Sequence, residues 1–81
     1  MKKTIDYYKD PRPMDELLSY AGIEKLSNSE INSYAQEVEN YLHSETVNDE
    51  YFYLKFKDAT IRIKGMDEAV LVLDCISKER R

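Results

Sequence analysis

Tryptophan is missing from this chain, and cysteine and histidine occur once each, as Cys75 and His43. One cysteine forbids an internal disulfide, so a small core must hold without covalent staples, which favours a reducing, cytoplasmic setting. The same scarcity leaves too few ligands for a zinc site. Glu39 and His43, four residues apart, are the nearest approach to a metal pair, and without further ligands the spacing reads as a solvated helix end. No metal and no cofactor is expected. With two glycines in all there is no Gly-rich phosphate loop, and neither G-x-S-x-G nor HExxH is present. Cys75 stands among apolar neighbours, where a thiol is more often a packed hydrophobe than a nucleophile. The carboxylate pairs Asp15-Glu16 and Asp49-Glu50 are accounted for by helix-start and loop roles. The expectation is a protein that is not an enzyme.

Long apolar runs are also lacking. Nothing approaches the roughly 20 residues of a membrane span. Met1-Lys2-Lys3 is followed by Thr4-Ile5-Asp6-Tyr7-Tyr8-Lys9-Asp10 rather than by the apolar stretch of a signal peptide. A soluble, cytoplasmic chain with no membrane partner is expected.

The most informative scarcity is of cations in the middle. Between Met14 and Glu50 nine carboxylates stand against Lys25 alone, giving −8. The thirteen residues before carry +2 and the thirty-one after carry +2, so the formal total of −4 hides an acidic centre between mildly basic ends. Such asymmetry speaks to partners and association, not to fold.

What is present suits one small domain of 81 residues. A chain this size buries only about 60% of its unfolded surface, so its core is thin. At 42% apolar residues it has enough to fold. Residues 1–12 show no periodicity, and Asp10-Pro11-Arg12-Pro13 interrupts structure twice. They read as an N-terminal arm pinned by Ile5, Tyr7 and Tyr8, ahead of a single α+β domain over 13–81. Pro13 suits a helix start, with Asp15 and Glu16 in its first turn, Leu17, Leu18 and Ala21 apolar, and Gly22 as its stop. Ser27-Asn28-Ser29-Glu30 matches a capping box. Beyond it Ile31, Tyr34, Ala35, Val38, Tyr41 and Leu42 form one helical stripe.

Residues 50–57 and 60–64 alternate with period two and predict a hairpin. Phe52, Leu54, Phe56, Ile61 and Ile63 would face inward, and Tyr51, Tyr53, Lys55, Lys57, Arg62 and Lys64 outward. Residues 67–78 suit a helix or a third strand. Asp67 and Glu68 at the start, with Lys78, Arg80 and Arg81 at the end, complement a helix dipole and select helix. The order is α-α-β-β-α, a two-stranded antiparallel hairpin packed on helices. Were 69–77 a strand, the sheet would be a three-stranded meander.

A helix-turn-helix over Leu17–Val38 fails on charge, because its second helix carries no Lys or Arg to meet phosphates. Three functional readings remain. In the leading one a protein-binding module engages a basic surface on a larger partner through an acidic helix face, Glu30, Glu37 and Glu39. The acids would mimic nucleic-acid phosphates at a nucleic-acid-processing host or defence enzyme. Composition suits a small regulatory or inhibitory protein of the phage or mobile-element kind. Tyr51 and Tyr53 add candidate aromatic contacts, since tyrosine supplies rigid area with a polar tip. In the second, Lys55, Lys57, Arg62 and Lys64 with the interleaved tyrosines form a platform for single-stranded nucleic acid, which the acidity of the whole chain disfavours. In the third, the chain is a structural homodimer, the acidic helix of one copy meeting the basic hairpin of another. Against all three, an acidic helix face and a lysine-bearing sheet face are also what ordinary solvated surfaces look like. No family resemblance is carried by any motif.

Overall fold

The computed structural model describes residues 3–79. The alternating segment forms the hairpin it predicts. Strands β2 (Tyr51–Lys55) and β3 (Ala59–Lys64) pair antiparallel, with Leu54 opposite Ile61 and Tyr53 opposite Arg62. Phe56 N–H donates to Ala59 O at 3.0 Å and closes the turn. Leu54, Phe56, Ile61 and Ile63 are buried, Phe52 is half-buried, and Tyr51, Tyr53, Lys55, Lys57 and Lys64 are exposed.

The sheet nevertheless has three strands, which corrects the two-stranded expectation. The third is β1 (Lys3–Asp6), contributed by the segment read as an arm. It lies parallel to β3, with Ile5 opposite Ile61 and Asp6 opposite Arg62, and the strand order is β1-β3-β2. The physical reason is coverage of β3. A lone hairpin is marginal in water, and without β1 the second edge of β3 would stand open beside Ile61. Ile5, 5% exposed, joins the core there. The meander alternative does not occur, because 69–77 lies within α3 (Met66–Lys78).

Each helix carries the end signals its sequence announces. In α1 (Met14–Ala21) Pro13 is the N-cap, and Gly22 ends the helix at φ 96°, a left-handed conformation that favours glycine. A Cβ on Gly22 would stand 2.9 Å from Asp58 Oδ2. Asp58 N–H donates to Ala21 O, and Asp58 pairs with Lys25 at 2.6 Å, so the hairpin turn docks on the end of α1. Helix α2 (Asn28–Leu42) begins with the complete Ser27/Glu30 capping box. Asp67 and Glu68 occupy the first turn of α3 and Lys78 its last.

The helices bury Leu17, Leu18, Ala21, Ile31, Ala35, Val38, Ala69, Val72 and Ile76 in one core with the inner side of the sheet. The other side of the sheet faces solvent. Tyr41 clasps the layers together. Its hydroxyl lies 2.6 Å from Val47 O and 2.5 Å from Glu50 O and accepts Gly65 N–H at 3.0 Å, tying α2 to the 43–50 loop and to the start of α3. Among the described residues no helix is long and apolar enough to cross a membrane.

Candidate functional site at the sheet edge

Glu30, Glu37 and Glu39 all sit on α2 and are all exposed. Helix geometry divides them. Glu30 and Glu37 are about two turns apart on one flank, with Tyr34 between them, whereas Glu39 stands about two and a half turns from Glu30, on the opposite flank. The acidic face read from the sequence is therefore two residues wide on the Tyr34 side, and Glu39 belongs elsewhere.

That flank borders the sheet. The rings of Tyr34 and Phe56 lie 5.0 Å apart, as do those of Tyr41 and Phe52, so α2 runs alongside β2. The Tyr34 hydroxyl donates to Lys55 O at 2.5 Å. Burial raises the Tyr34 phenol above its ordinary value, and the charges of Glu37 and Glu30 raise it further. Glu30 is partly committed. Ser27 N–H donates to its carboxylate at 3.0 Å, and this bond, helped by the nearby Lys57, holds the carboxyl below its usual range.

The register of the hairpin fixes which backbone groups of β2 are free to face outward. Antiparallel neighbours alternate between pairs that exchange hydrogen bonds and pairs that do not. The Phe56–Ala59 bond sets the phase. Leu54–Ile61 and Phe52–Ile63 are thus bonded pairs, and Tyr51, Tyr53 and Lys55 turn their N–H and C=O groups away from β3. The β1-β3-β2 order leaves that side of β2 as an edge. Lys55 O is the carbonyl Tyr34 covers. Along that edge the outward peptide groups of Tyr51 and Tyr53 follow the Lys55 carbonyl reached by Tyr34, whose helix flank carries Glu30 and Glu37.

The open face of the sheet gathers a second group. Tyr8, from the turn after β1, stacks on Tyr51 with centroids 6.3 Å apart. The Arg62 guanidinium lies 4.2 Å from the Tyr51 centroid and the Lys64 ammonium 5.1 Å from it. Arg62 also bonds Asp6 and donates to the Tyr8 hydroxyl. Hydrogen bonding with Tyr53 and then Asp6 raises the guanidinium further above its ordinary value. Tyr8, Tyr51 and Tyr53 remain 47%, 40% and 46% exposed, enough ring area to contact another molecule. Of the four cations read as one platform, Lys55, Arg62 and Lys64 share this side. Lys57 instead reaches Lys25 O at 3.4 Å, beyond the hairpin turn.

Cys75 is buried and donates to Asp15 Oδ1 at 3.1 Å. Burial, followed by the bond to Asp15, pushes the thiol up to about 11, far from the thiolate a nucleophile needs. The hollow beside it, about 230 Å³, is lined by Asp15, Ser19, Ile23 and Lys78 among others. Among the described residues no three His, Cys, Asp or Glu side chains gather into a metal site.

Sequence reasoning missed Asp6, and it had Tyr8 as a residue pinning the arm; both reach the sheet because β1 does. It also placed Tyr34 with the core stripe. The available signal was its position on the rim of the helical stripe, four residues after Glu30 and three before Glu37. No family model, no curated protein and no solved structure matches this chain.

Proposed function

We propose that the chain is a small, non-enzymatic protein-binding module that engages a basic surface on a larger partner through Glu30 and Glu37 of α2. The observation that supports this reading is their position: both are exposed on the flank of α2 that carries Tyr34, beside the outward edge of β2. Two carboxylates about two helical turns apart, in a segment carrying −8, would steer a cationic surface toward that edge. Size and acidity suit a regulatory or inhibitory protein of the phage or mobile-element kind, its acids standing in for phosphates at a nucleic-acid-processing enzyme.

The test begins with capture of the partner from the native cell and its identification by mass spectrometry. Association is then timed for Glu37→Lys combined with Glu30→Gln, which keeps the capping box because glutamine serves at that position. The expected result is association slowed about tenfold or more and steeply salt-dependent, since exposed charges act mainly on the on-rate and are screened over about 8–10 Å. Glu39→Lys should have little effect. Unchanged association of the double variant at low salt overturns the reading.

A second reading rests on the open face, where Tyr8, Tyr51 and Tyr53 stand among Lys55, Arg62 and Lys64 as a platform for single-stranded nucleic acid. It predicts that Lys55→Gln with Lys64→Gln abolishes binding of a labelled oligonucleotide in fluorescence anisotropy, and that the α2 variant leaves it intact.

A further inference from the structure

We infer that the partner docks by adding a strand: an extended basic segment pairs with the outer edge of β2 as a fourth strand of the sheet. The inference rests on the proposed role of Glu30 and Glu37 and adds the manner of recognition. The two sheet edges are alike in size, four residues in β1 and five in β2 with one buried side chain each, and each carries a lysine, Lys3 and Lys55. Beside β1, Lys9 and Arg12 are already paired with Asp6 and Asp10. The β2 edge differs in having Glu30 and Glu37 on the flank of α2 that carries Tyr34, whose hydroxyl reaches that edge at Lys55 O. Its peptide groups at Tyr51 and Tyr53 face outward in register, so an incoming backbone can bond to both, as in β-strand addition generally.

Side chains of the added strand would alternate between two surroundings. Those on the helix side meet Tyr34, Glu30 and Glu37, which selects lysine or arginine. Those on the open side lie next to Tyr51 and Tyr53, where β-branched or aromatic residues make favourable cross-strand pairs. The edge therefore fits a segment in which basic residues alternate with apolar ones. A second copy fits less well. Because α2 runs along β2, antiparallel pairing of two β2 strands would bring the Glu37 flanks of the two helices together, and like charges oppose that.

The probe is a capped seven-residue peptide alternating lysine with valine, compared with a glutamate-for-lysine counterpart, added to the intact chain. Amide hydrogen exchange is followed residue by residue. Tyr51 and Tyr53 amides should gain protection with the lysine peptide and none with the glutamate peptide, and the gain should fade with salt. Phe52 and Leu54, already bonded to β3, should not change. Tyr53→Pro removes an outward N–H without removing a β2–β3 bond, since proline is accepted on an edge strand. It should abolish binding of the peptide, and Tyr53→Val should retain it. Three results overturn the inference. If the Glu37 variant weakens the peptide or partner while Tyr51 and Tyr53 amides stay unprotected, the charged surface is right and strand addition is wrong. If neither charge nor edge variants matter, both readings fall. If protection appears in the protein alone and rises with its concentration, the edge takes a second copy instead.

Discussion

Phe56 is 0% exposed, and its ring meets Tyr34 at the junction of the hairpin and α2. A thin core has little capacity to collapse around a hole, so Phe56→Ala should cost about 3–5 kcal/mol. That is comparable to the whole stability of many small domains. Chemical denaturation is the measurement, and a loss under about 1 kcal/mol would mean the ring is not in the core. Cys75 gives a pH prediction of definite sign. Its thiol is pushed from an ordinary 9.0 to about 11, so the folded chain holds the thiol proton more tightly than the unfolded chain does. The associated stability is complete below about pH 9 and is lost as pH rises through about 11. At pH 8 iodoacetamide should therefore modify Cys75 at least about tenfold more slowly in the native chain than in urea, because the thiolate is the reacting form. Equal rates would refute the burial.

At the scale of elements, local signals proved sufficient wherever they were periodic or capped. Ser27 and Glu30 announce α2, Gly22 announces the end of α1, and the Tyr51–Lys64 alternation announces the hairpin. For α3 periodicity was ambiguous, and charge order resolved it: Asp67 and Glu68 at one end, Lys78 at the other. Val72 is fully buried in the middle of that helix. Val72→Pro removes an internal hydrogen bond, crowds the preceding turn and vacates a core position, a cost of about 3 kcal/mol or more. Circular dichroism should show loss of cooperative unfolding. A variant that melts like the parent would argue against helix here. The candidate site was legible only in part. The carboxylates were visible, and once α2 is a helix the spacing from Glu30 to Glu39 already puts Glu39 on the far flank. The sequence does not say that β2 ends up at the sheet edge, because that depends on β1 covering the other side of β3, a placement no single segment encodes.

The whole molecule depends on a contact between segments far apart in sequence. β1 pairs with β3 across more than fifty residues. Its four residues contain one apolar side chain, Ile5, too little for any period to show, and so Lys3–Asp6 reads as an arm until β3 is in place beside it. The two descriptions make opposite predictions for Ile5. A tethered arm would lose little from Ile5→Ala, within the roughly 0.5 kcal/mol typical of surface changes. An integral strand would lose the burial of an isoleucine that is 5% exposed and would loosen the Asp6–Arg62 pair beside it. That cost is about 2–5 kcal/mol. The effect should also reach across the sheet. Arg62 is held by Asp6 and leans over Tyr51, so detaching β1 should free Tyr8 and unstack it from Tyr51. Urea denaturation of Ile5→Ala, followed by far-ultraviolet dichroism and by tyrosine fluorescence, measures both consequences. Coincident transitions shifted by the larger amount mean that β1 folds with the rest as one cooperative unit. A fluorescence change that precedes an unshifted main transition would return residues 3–6 to the status of an arm.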